Sequence, residues 1–227
     1  MESKFEYKLV RSKRKSLGIK IDRDARVIVM APNNMKISDI EAFLEKKSNW
    51  INKNLSKMQQ CKQIRDSFSI DENSKLLFLG REYPFVRSED KQAGFDSGYF
   101  HVPMDTPQDE VIAMVKGIYK QLAESLLVKR TYDLAERFGE SLNNVKISSA
   151  STRWGSCSSK RNINLSFYLV MASPSAVDYC IIHELCHLKH MNHSKSFWSL
   201  VQMRDPKYIE HETELKRLSQ KLALENF

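Results

Sequence analysis

Long apolar runs are missing from this 227-residue sequence. The longest, Phe167 to Ala172, is far shorter than the roughly 20 residues needed to cross a bilayer. The first eight residues lack the apolar core of a secretory signal peptide. The four cysteines include no Cys-x-x-Cys pair and form no dense framework. These absences predict a soluble, cytoplasmic protein with reduced thiols and no membrane partner.

Positive charge is concentrated near the N-terminus. The formal net charge is +8, and residues 1–60 hold 14 Lys and Arg against 7 Asp and Glu, a balance of +7. Such a region either contacts nucleic acid, a nucleotide or another anion, or remains a solvated surface. Its densest cluster is Arg11 to Lys15, with four cations in five residues. Because no aromatic-studded basic groove accompanies it, the solvated surface is favoured and a nucleic-acid or nucleotide partner is the alternative.

A histidine pattern in the C-terminal half carries the clearest chemical signal. Residues 183–187 read His-Glu-Leu-Cys-His. Residues four apart on a helix lie one above the other, so His183 and His187 can bind one metal ion. Glu184 lies about 100° further around the helix, beside that ion and free to act on a water molecule. The pattern predicts a catalytic Zn²⁺ site with two histidine ligands and Glu184 as general base.

The surrounding residues predict the helix that this pattern needs. Ser173 and Pro174 are typical of an N-cap and a first helical position. Apolar residues then follow at spacings of four, four and three, at Val177, Ile181, Leu185 and Leu188. They lie on one face, nearly opposite the two histidines, which indicates a helix packed on a core with its histidines facing a cleft.

A catalytic zinc site needs a third protein ligand and an open position. His190 shares the helix face of His183, but the helical rise separates them by roughly 10 Å, too far for one ion. His193 can bind only if the helix ends first; Asn192 tolerates a helix end, and Ser194 can cap a new helix. We therefore predict His193. The reserve is a carboxylate from the last predicted helix, which carries Glu210, Glu212 and Glu214. A solvated helix face is the simpler interpretation of that cluster.

A strand is predicted from Val145 into an Arg-Trp-Gly-Ser sequence at 153–156. Beside the metal helix, its free edge can pair with an extended peptide, and a glycine permits close approach. The candidate substrate-binding residues are Arg153, Trp154, Gly155 and Ser156. The first two either contact substrate or brace the site, and the sequence leaves both open. Cys157 has no adjacent base, so we do not predict a thiol nucleophile.

The first hundred residues are predicted to be rich in β-structure. Alternating apolar residues predict strands at 5–10, 17–22, 26–31 and 98–103, and a hairpin over 75–87 that turns near Gly80-Arg81. One amphipathic helix is expected from Ser38 to Leu55, with Trp50 in the core and a polar connection over 59–73. A long helix should open at Thr106-Pro107 and end near Gly139. We therefore expect a β-rich N-terminal region with one helix, 1–104, and a catalytic domain, 105–227.

The metal segment, HELCHLKHMNHSKSFW at 183–198, resembles the active-site segment of the YgjP-like zinc metallopeptidases, which are related to the SprT and WLM proteases. Further matching segments are 153–158, 162–165, Asp178-Tyr179, 11–15 and Ala31-Pro32. The resemblance implies an α+β, zincin-like metallopeptidase domain with an active-site HExxH helix, and it implies His183, His187 and His193 as ligands. The histidine spacing also equals that of metzincins, but His190 replaces their glycine and no methionine-turn motif follows.

Three functions are compatible with these residues. The leading prediction is a zinc-dependent metallopeptidase that cleaves polypeptides, with Glu184 taking a proton from water. The alternative is a metal-dependent hydrolase of a nucleoside triphosphate or another phosphoanhydride, and no Walker-type loop is present to favour it. The third is a non-enzymatic nucleic-acid-binding module with structural zinc. Glu184 argues against this module, because a structural site normally has four protein ligands and needs no adjacent base.

Overall fold

The computed structural model describes residues 5–225. These residues divide into two compact units, one formed by 5–68 with 224–225 and the other by 69–223. The predicted boundary between residues 104 and 105 falls inside the second unit, so the division into a β-rich region and a catalytic domain stays a prediction. Within the described range, none of the helices has the length and apolar content that a bilayer crossing requires.

A three-stranded sheet opens the first unit. Its strands are β1 (Tyr7–Ser12), β2 (Gly18–Ile21) and β3 (Val27–Pro32), in the order β1-β3-β2. The central strand pairs parallel with β1 and antiparallel with β2. Every second residue of β3 is buried, as expected for a sheet with one face on a core. That core consists of Val27, Val29, Ala31, Ile40, Leu44 and Ile51.

The helical part of the first unit differs from the prediction of one helix from Ser38 to Leu55. Two helices are present, α1 (Ile37–Lys46) and α2 (Ser48–Ser67), with a break at Lys47. Ser38 lies inside α1 and does not cap it. The second helix extends through most of the predicted connection, because Lys, Met, Gln and Arg there are good helix formers without Gly or Pro between them. The expectation that Trp50 is a core residue is wrong, since it is 47% exposed.

A four-stranded sheet begins the second unit, in the order β4-β5-β7-β6. The strands are β4 (Lys75–Phe78), β5 (Arg81–Ser88), β6 (Gly94–Asp96) and β7 (Tyr99–Pro103). The hairpin between β4 and β5 turns at Leu79 and Gly80, one residue earlier than predicted. Both have positive φ, 49° and 75°, the combination that matches a two-residue hairpin to strand twist.

A 30-residue helix, α3 (Gln108–Arg137), is the longest element of the second unit. It occupies the predicted range, and Gly139, with φ of 64°, follows its end. The helix contacts β7, a 3₁₀ helix at Phe167–Met171, and a second sheet. That sheet is formed by β8 (Asn144–Ser148), β9 (Gly155–Cys157) and β10 (Asn162–Ser166), in the order β8-β10-β9. Strand β9 therefore lies at an edge.

Three helices complete the second unit: α4 (Pro174–Cys186), α5 (Lys195–Arg204) and α6 (Tyr208–Leu224). Two contacts fix α4 among its neighbours. Arg130 of α3 makes a bidentate salt bridge to Asp178, with nitrogen–oxygen distances of 2.7 and 2.6 Å. Glu214 of α6 accepts hydrogen bonds from the backbone N–H and the hydroxyl of Ser173, both 2.7 Å. The first α4 turn is thus held at a defined place before the histidines begin.

A buried ion pair anchors the other end of α4. Arg204 Nη2 lies 2.5 Å from a carboxylate oxygen of Glu140, and each side chain is only 4% exposed. Lys189, just after α4, approaches the same carboxylate to 3.3 Å. Burial acts to raise the pKa of Glu140, but the hydrogen bonds and charges of Arg204 and Lys189 outweigh it and lower the pKa. The pair joins the segment after α3 to the last residue of α5, and Lys189 links the segment after α4 to the same carboxylate.

Replacing Glu140 by Gln should lower the free energy of unfolding by about 3 kcal/mol at pH 7, because Arg204 would keep a buried charge without its carboxylate. Since the pKa of Glu140 is lowered by folding, its ion pair stabilises the fold fully above the ordinary value of 4.5. The stabilisation is lost as pH falls through the lower folded-state pKa. The free energies of unfolding of wild type and variant should therefore become more similar as the pH falls. Urea unfolding at pH 7 and at stepwise lower pH measures both.

The control for this prediction is Lys189→Ala, which removes a cation that is 52% exposed. An exposed partner of this kind contributes about 0.5 kcal/mol. Equal free energies of unfolding for wild type and Glu140→Gln at pH 7 would contradict the importance of the buried pair.

Candidate metal centre

Helix α4 forms as its sequence predicts at the N-terminal end. The hydroxyl of Ser173 accepts a hydrogen bond from the backbone N–H of Ala176, and Pro174 occupies the first turn. Val177, Ile181 and Leu185 are buried. The opposite face carries His183, as the helical period requires.

The C-terminal end of α4 comes earlier than the predicted stop near Asn192. The helix ends at Cys186. From His187 to Lys189, backbone N–H groups donate to carbonyls three residues back rather than four, which tightens the chain and ends the helix. Ser194 then caps α5 as predicted, since its hydroxyl accepts from the N–H of Phe197. His193 lies in the turn between the two helices.

The turn brings three imidazoles together. One nitrogen from each of His183, His187 and His193 lies within 4.8 Å of the other two, and Nε2 of His183 approaches Nε2 of His193 to 3.1 Å. Two nitrogens that bind one zinc ion tetrahedrally are roughly 3.3 Å apart, given bonds of about 2.05 Å. The donor set therefore fits a single divalent cation.

His190 takes part through its backbone. Its carbonyl accepts a hydrogen bond from Nδ1 of His187, at 3.0 Å. Since a carbonyl can only accept, Nδ1 carries the proton and Nε2 of His187 has a free lone pair for a metal. The backbone carbonyl of a candidate rejected as a ligand thus orients one of the predicted ligands.

The two partly buried imidazoles, His183 and His187, favour the neutral form. Burial, with smaller contributions from His187 and His193, lowers the pKa of His183 to about 4. Burial also lowers the pKa of His187, against the opposing effect of its hydrogen bond to His190. Neutral imidazole is the form that binds a metal, so these two side chains need not lose a proton at neutral pH to become ligands.

Glu184 is buried beside the imidazoles, with 6% of its surface exposed. Its Oε2 atom has no hydrogen-bond partner within residues 5–225. Burial raises the pKa of Glu184 to about 8, although the positive charge of Arg153 acts in the opposite direction. A buried carboxylate oxygen without a partner is uncommon in folded proteins and indicates a ligand, a water molecule or a cation at that position. A carboxylate with a pKa near neutrality also suits a general base.

Strand β9 packs against Glu184. A Cβ atom built on Gly155 would lie 2.7 Å from both Cγ and Oε1 of Glu184, closer than real Cβ contacts. Only glycine permits this approach. On its other side β9 pairs antiparallel with β10, where Gly155 lies opposite Leu165. The Glu184 carboxylate therefore lies against β9, the edge strand of its sheet.

The four candidate substrate-binding residues have different surroundings. Trp154, Gly155 and Ser156 are partly buried, and the carbonyl of Trp154 accepts a hydrogen bond from the N–H of Ser166. Arg153 is exposed. Its charge acts on Glu184, and its role as a substrate contact or a brace stays open. Cys157 behaves as predicted, since burial and the charge of Glu184 raise its thiol pKa to about 11.

Aromatic residues surround the imidazoles, and the sequence did not predict them as part of the site, although Phe197 and Trp198 lie in the helix predicted after Ser194. Phe197 is fully buried, and its ring centroid lies 4.5–4.9 Å from those of the three imidazoles. Trp198 stacks on His193 at 5.8 Å. Their spacing in the sequence could have predicted this contact. Phe197 and Trp198 follow His193 by four and five residues, which is about one helical turn, and a helix capped at Ser194 brings them back to the side on which His193 lies.

The reserve carboxylates have other contacts. Glu214 binds Ser173 at the start of α4, Glu212 pairs with Lys216 at 2.9 Å, and Glu210 approaches Lys207 to 4.0 Å. Within the part of the chain that the structure describes, the metal-binding cluster contains histidines only.

Three clustered imidazoles with an adjacent buried carboxylate define the class of metal-dependent hydrolases that carry the HExxH pattern. The comparison with protein families identifies the group within that class. The family described as YgjP-like, metallopeptidase domain, matches residues 15–218. This chain belongs to the YgjP-like metallopeptidase family, and it is a metallopeptidase whose family implies a divalent metal.

The comparison with solved structures found the crystal structure of the metallopeptidase zymogen of Pyrococcus abyssi abylysin. It is 25% identical over 43% of this chain and 95% of the other, with a TM-score of 0.37. The search of curated proteins gave no match.

Replacing Gly155 by Ala should lower peptide hydrolysis about 100-fold, because the new methyl group must displace the Glu184 carboxylate by a distance that catalysis does not tolerate. Bound metal should stay close to the wild-type stoichiometry, since the imidazoles are not displaced. The rate of hydrolysis of a peptide substrate and the metal content are measured on the same sample.

The matched control is Gly117→Ala in α3, where a Cβ meets nothing within 4 Å. This change should leave turnover unaltered and slightly stabilise the helix. Wild-type turnover in Gly155→Ala would show that Glu184 does not depend on the close approach of β9.

Proposed function

We propose that this metallopeptidase uses Zn²⁺, held by His183, His187 and His193, and that Glu184 is its general base. The observation that carries the proposal is the meeting of three imidazole nitrogens within 4.8 Å beside a buried carboxylate oxygen that has no protein partner in the described range. Imidazole donors suit zinc, and three protein ligands leave the open position that catalytic zinc requires.

Zinc and Glu184 would have separate roles in hydrolysis. Bound zinc would supply a positive charge that polarises the scissile carbonyl and makes water more acidic. Glu184 accepts the proton of the attacking water and donates it to the leaving amine. Its burial supports this role, because a carboxylate with a raised pKa holds a proton long enough to pass it on. Gly155 keeps that carboxylate next to the edge strand.

An extended polypeptide is the substrate that this arrangement favours. The edge of β9 can add a substrate strand through backbone hydrogen bonds, which are independent of side-chain identity. Gly155 would offer its backbone to the substrate strand, with Trp154 and Ser156 on either side of it, because the carbonyl of Trp154 already accepts from Ser166. Arg153 would either contact the substrate or brace the site. Because this pairing uses only backbone groups, any preference for particular substrate side chains would come from other contacts.

Other predictions remain untested. These are the cytoplasmic location, the relationship to SprT and WLM proteases, and a nucleic-acid or nucleotide partner. Arg11, in the basic cluster, donates to the carbonyls of Pro32, Asn33 and Met35, each at 2.9 Å, so this guanidinium serves the fold. No contact in the described structure favours a phosphoanhydride substrate. Three histidines, rather than four ligands, favour an enzyme over a module with structural zinc.

Replacing Glu184 by Gln should keep zinc bound and reduce turnover at least about 100-fold, because the amide is isosteric but cannot take a proton. Zinc-loaded wild type and variant are incubated with an unfolded protein, and the fragments are read by mass spectrometry. We expect fragments from the wild type alone.

Parallel incubations with DNA test whether nucleic acid alters cleavage, and incubation with nucleoside triphosphates tests the phosphoanhydride alternative. Fragments at the wild-type rate from Glu184→Gln would contradict the base assignment. Triphosphate hydrolysis that requires Glu184, with no fragments from any polypeptide, would favour the other substrate.

Replacing His193 by Ala should lower the zinc content well below one equivalent after dialysis, because two imidazoles remain. Elemental analysis of the dialysed protein measures the content, and Glu210→Ala is the control because that carboxylate lies outside the histidine cluster. An unchanged zinc content in His193→Ala would move the third ligand elsewhere.

A further inference from the structure

His193 differs from the other two imidazoles in how the chain holds it. His183 lies within α4, and the ring of His187 is fixed by the carbonyl of His190. His193 lies in the turn before α5 and is exposed. A ligand on an exposed turn must be held in place by its neighbours, or metal binding has to order it.

Two aromatic side chains of α5 contact the ring of His193. Phe197 meets it edge to face, with ring centroids 4.8 Å apart and an interplanar angle of 83°. Trp198 is nearly parallel to it, at 5.8 Å and 26°. Trp198 also approaches His183 to 5.8 Å. The indole thus restricts rotation of the His193 ring by stacking, a contact that leaves both ring nitrogens of His193 free for other partners.

A further layer supports Trp198 from α6. Tyr208 stacks on the indole at 5.5 Å and 29°, and it stacks on Tyr179 of α4 at 6.5 Å. The rings of His193, Trp198, Tyr208 and Tyr179 therefore form a continuous stack from the turn back to the metal helix.

Asp205 fixes the turn from which Tyr208 extends. One carboxylate oxygen accepts the N–H of Lys207 at 3.1 Å, and the other lies 2.7 Å from Nδ1 of His211. The backbone carbonyl of Asp205 accepts the N–H of Tyr208 itself. Asp205 is buried, so these bonds are shielded from water and hold the start of α6 in one geometry.

We infer that Trp198, supported by Tyr208, is a positioning residue that holds His193 in the orientation needed to bind the metal. The inference rests on the proposed role of His193 as third ligand. It assigns to Trp198 an effect on metal affinity that acts through His193. Phe197 contacts all three imidazoles and is fully buried, so its replacement would disturb the core as well. Trp198 is partly buried and can be changed with less damage.

The test measures the zinc dissociation constant of the full chain by competition with a chromophoric chelator. Trp198→Ala should weaken zinc binding about 10- to 100-fold, the usual effect of removing a group that orients a metal-bound histidine. Trp198→Leu, which keeps apolar bulk but loses the ring, should also weaken it. Trp198→Phe should retain affinity within about threefold, because a flat ring remains.

Changes at Tyr208 separate stacking from hydrogen bonding. Tyr208→Phe should leave the dissociation constant unaltered, whereas Tyr208→Ala should weaken binding by less than Trp198→Ala. Tyr132→Ala is the matched control, since this tyrosine is 44% exposed and lies on α3, outside the histidine cluster. Far-UV circular dichroism of the metal-free variants identifies any that fail to fold, and Trp198→Leu then replaces Trp198→Ala.

A double-mutant cycle decides whether Trp198 acts through His193. In a His193→Ala background, Trp198→Leu should have no further effect on the dissociation constant. An equal weakening in both backgrounds, or wild-type affinity in folded Trp198→Leu, would overturn the inference while leaving the ligand set intact. Wild-type affinity in His193→Ala would instead overturn the ligand assignment of the proposed function.

Discussion

The contact between the backbone of β9 and the carboxylate of Glu184 is the constraint on which the active site depends. At Gly155 the strand approaches so closely that a methyl group has no room. This approach helps to exclude water from Glu184, and burial is the main cause of its raised pKa. It also places the free edge of a sheet beside the only carboxylate in the HExxH segment. A single contact therefore positions both the proposed base and the proposed substrate-binding edge.

The metal centre combines elements of different rigidity. Helix α4 is fixed at its start by Arg130 and Glu214, and just beyond its end Lys189 approaches the buried pair of Glu140 and Arg204. The third imidazole is on an exposed turn, and aromatic rings from α5 surround it. Of the three proposed ligands, His183 is held by the helix, His187 by its hydrogen bond to the carbonyl of His190, and His193 by packing. Packing by aromatic rings can hold a residue on a short turn accurately enough for metal binding, which requires ligand positions within a fraction of an ångström.

Membership of the YgjP-like metallopeptidase family and the local chemistry point to the same reaction class. Neutral imidazoles suit metal binding, and a buried carboxylate suits proton transfer near neutral pH. The thiol of Cys157 lies in the same region, but burial and the charge of Glu184 raise its pKa, which disfavours the thiolate that a nucleophile needs. Hydrolysis by an activated water is therefore the chemistry that these side chains support.

Helical periodicity and capping preferences allow the sequence alone to predict a large part of the metal centre. The positions of His183, Glu184 and His187 follow from the helical period, and the caps at Ser173 and Ser194 follow from side-chain hydrogen bonds within three residues. The early end of α4, the break between α1 and α2, and the exposure of Trp50 did not follow from local patterns. The stacking of Trp198 and Tyr208 and the burial of Glu184 against Gly155 required the tertiary structure. Those features depend on contacts between residues distant in the chain, which propensity and periodicity do not encode.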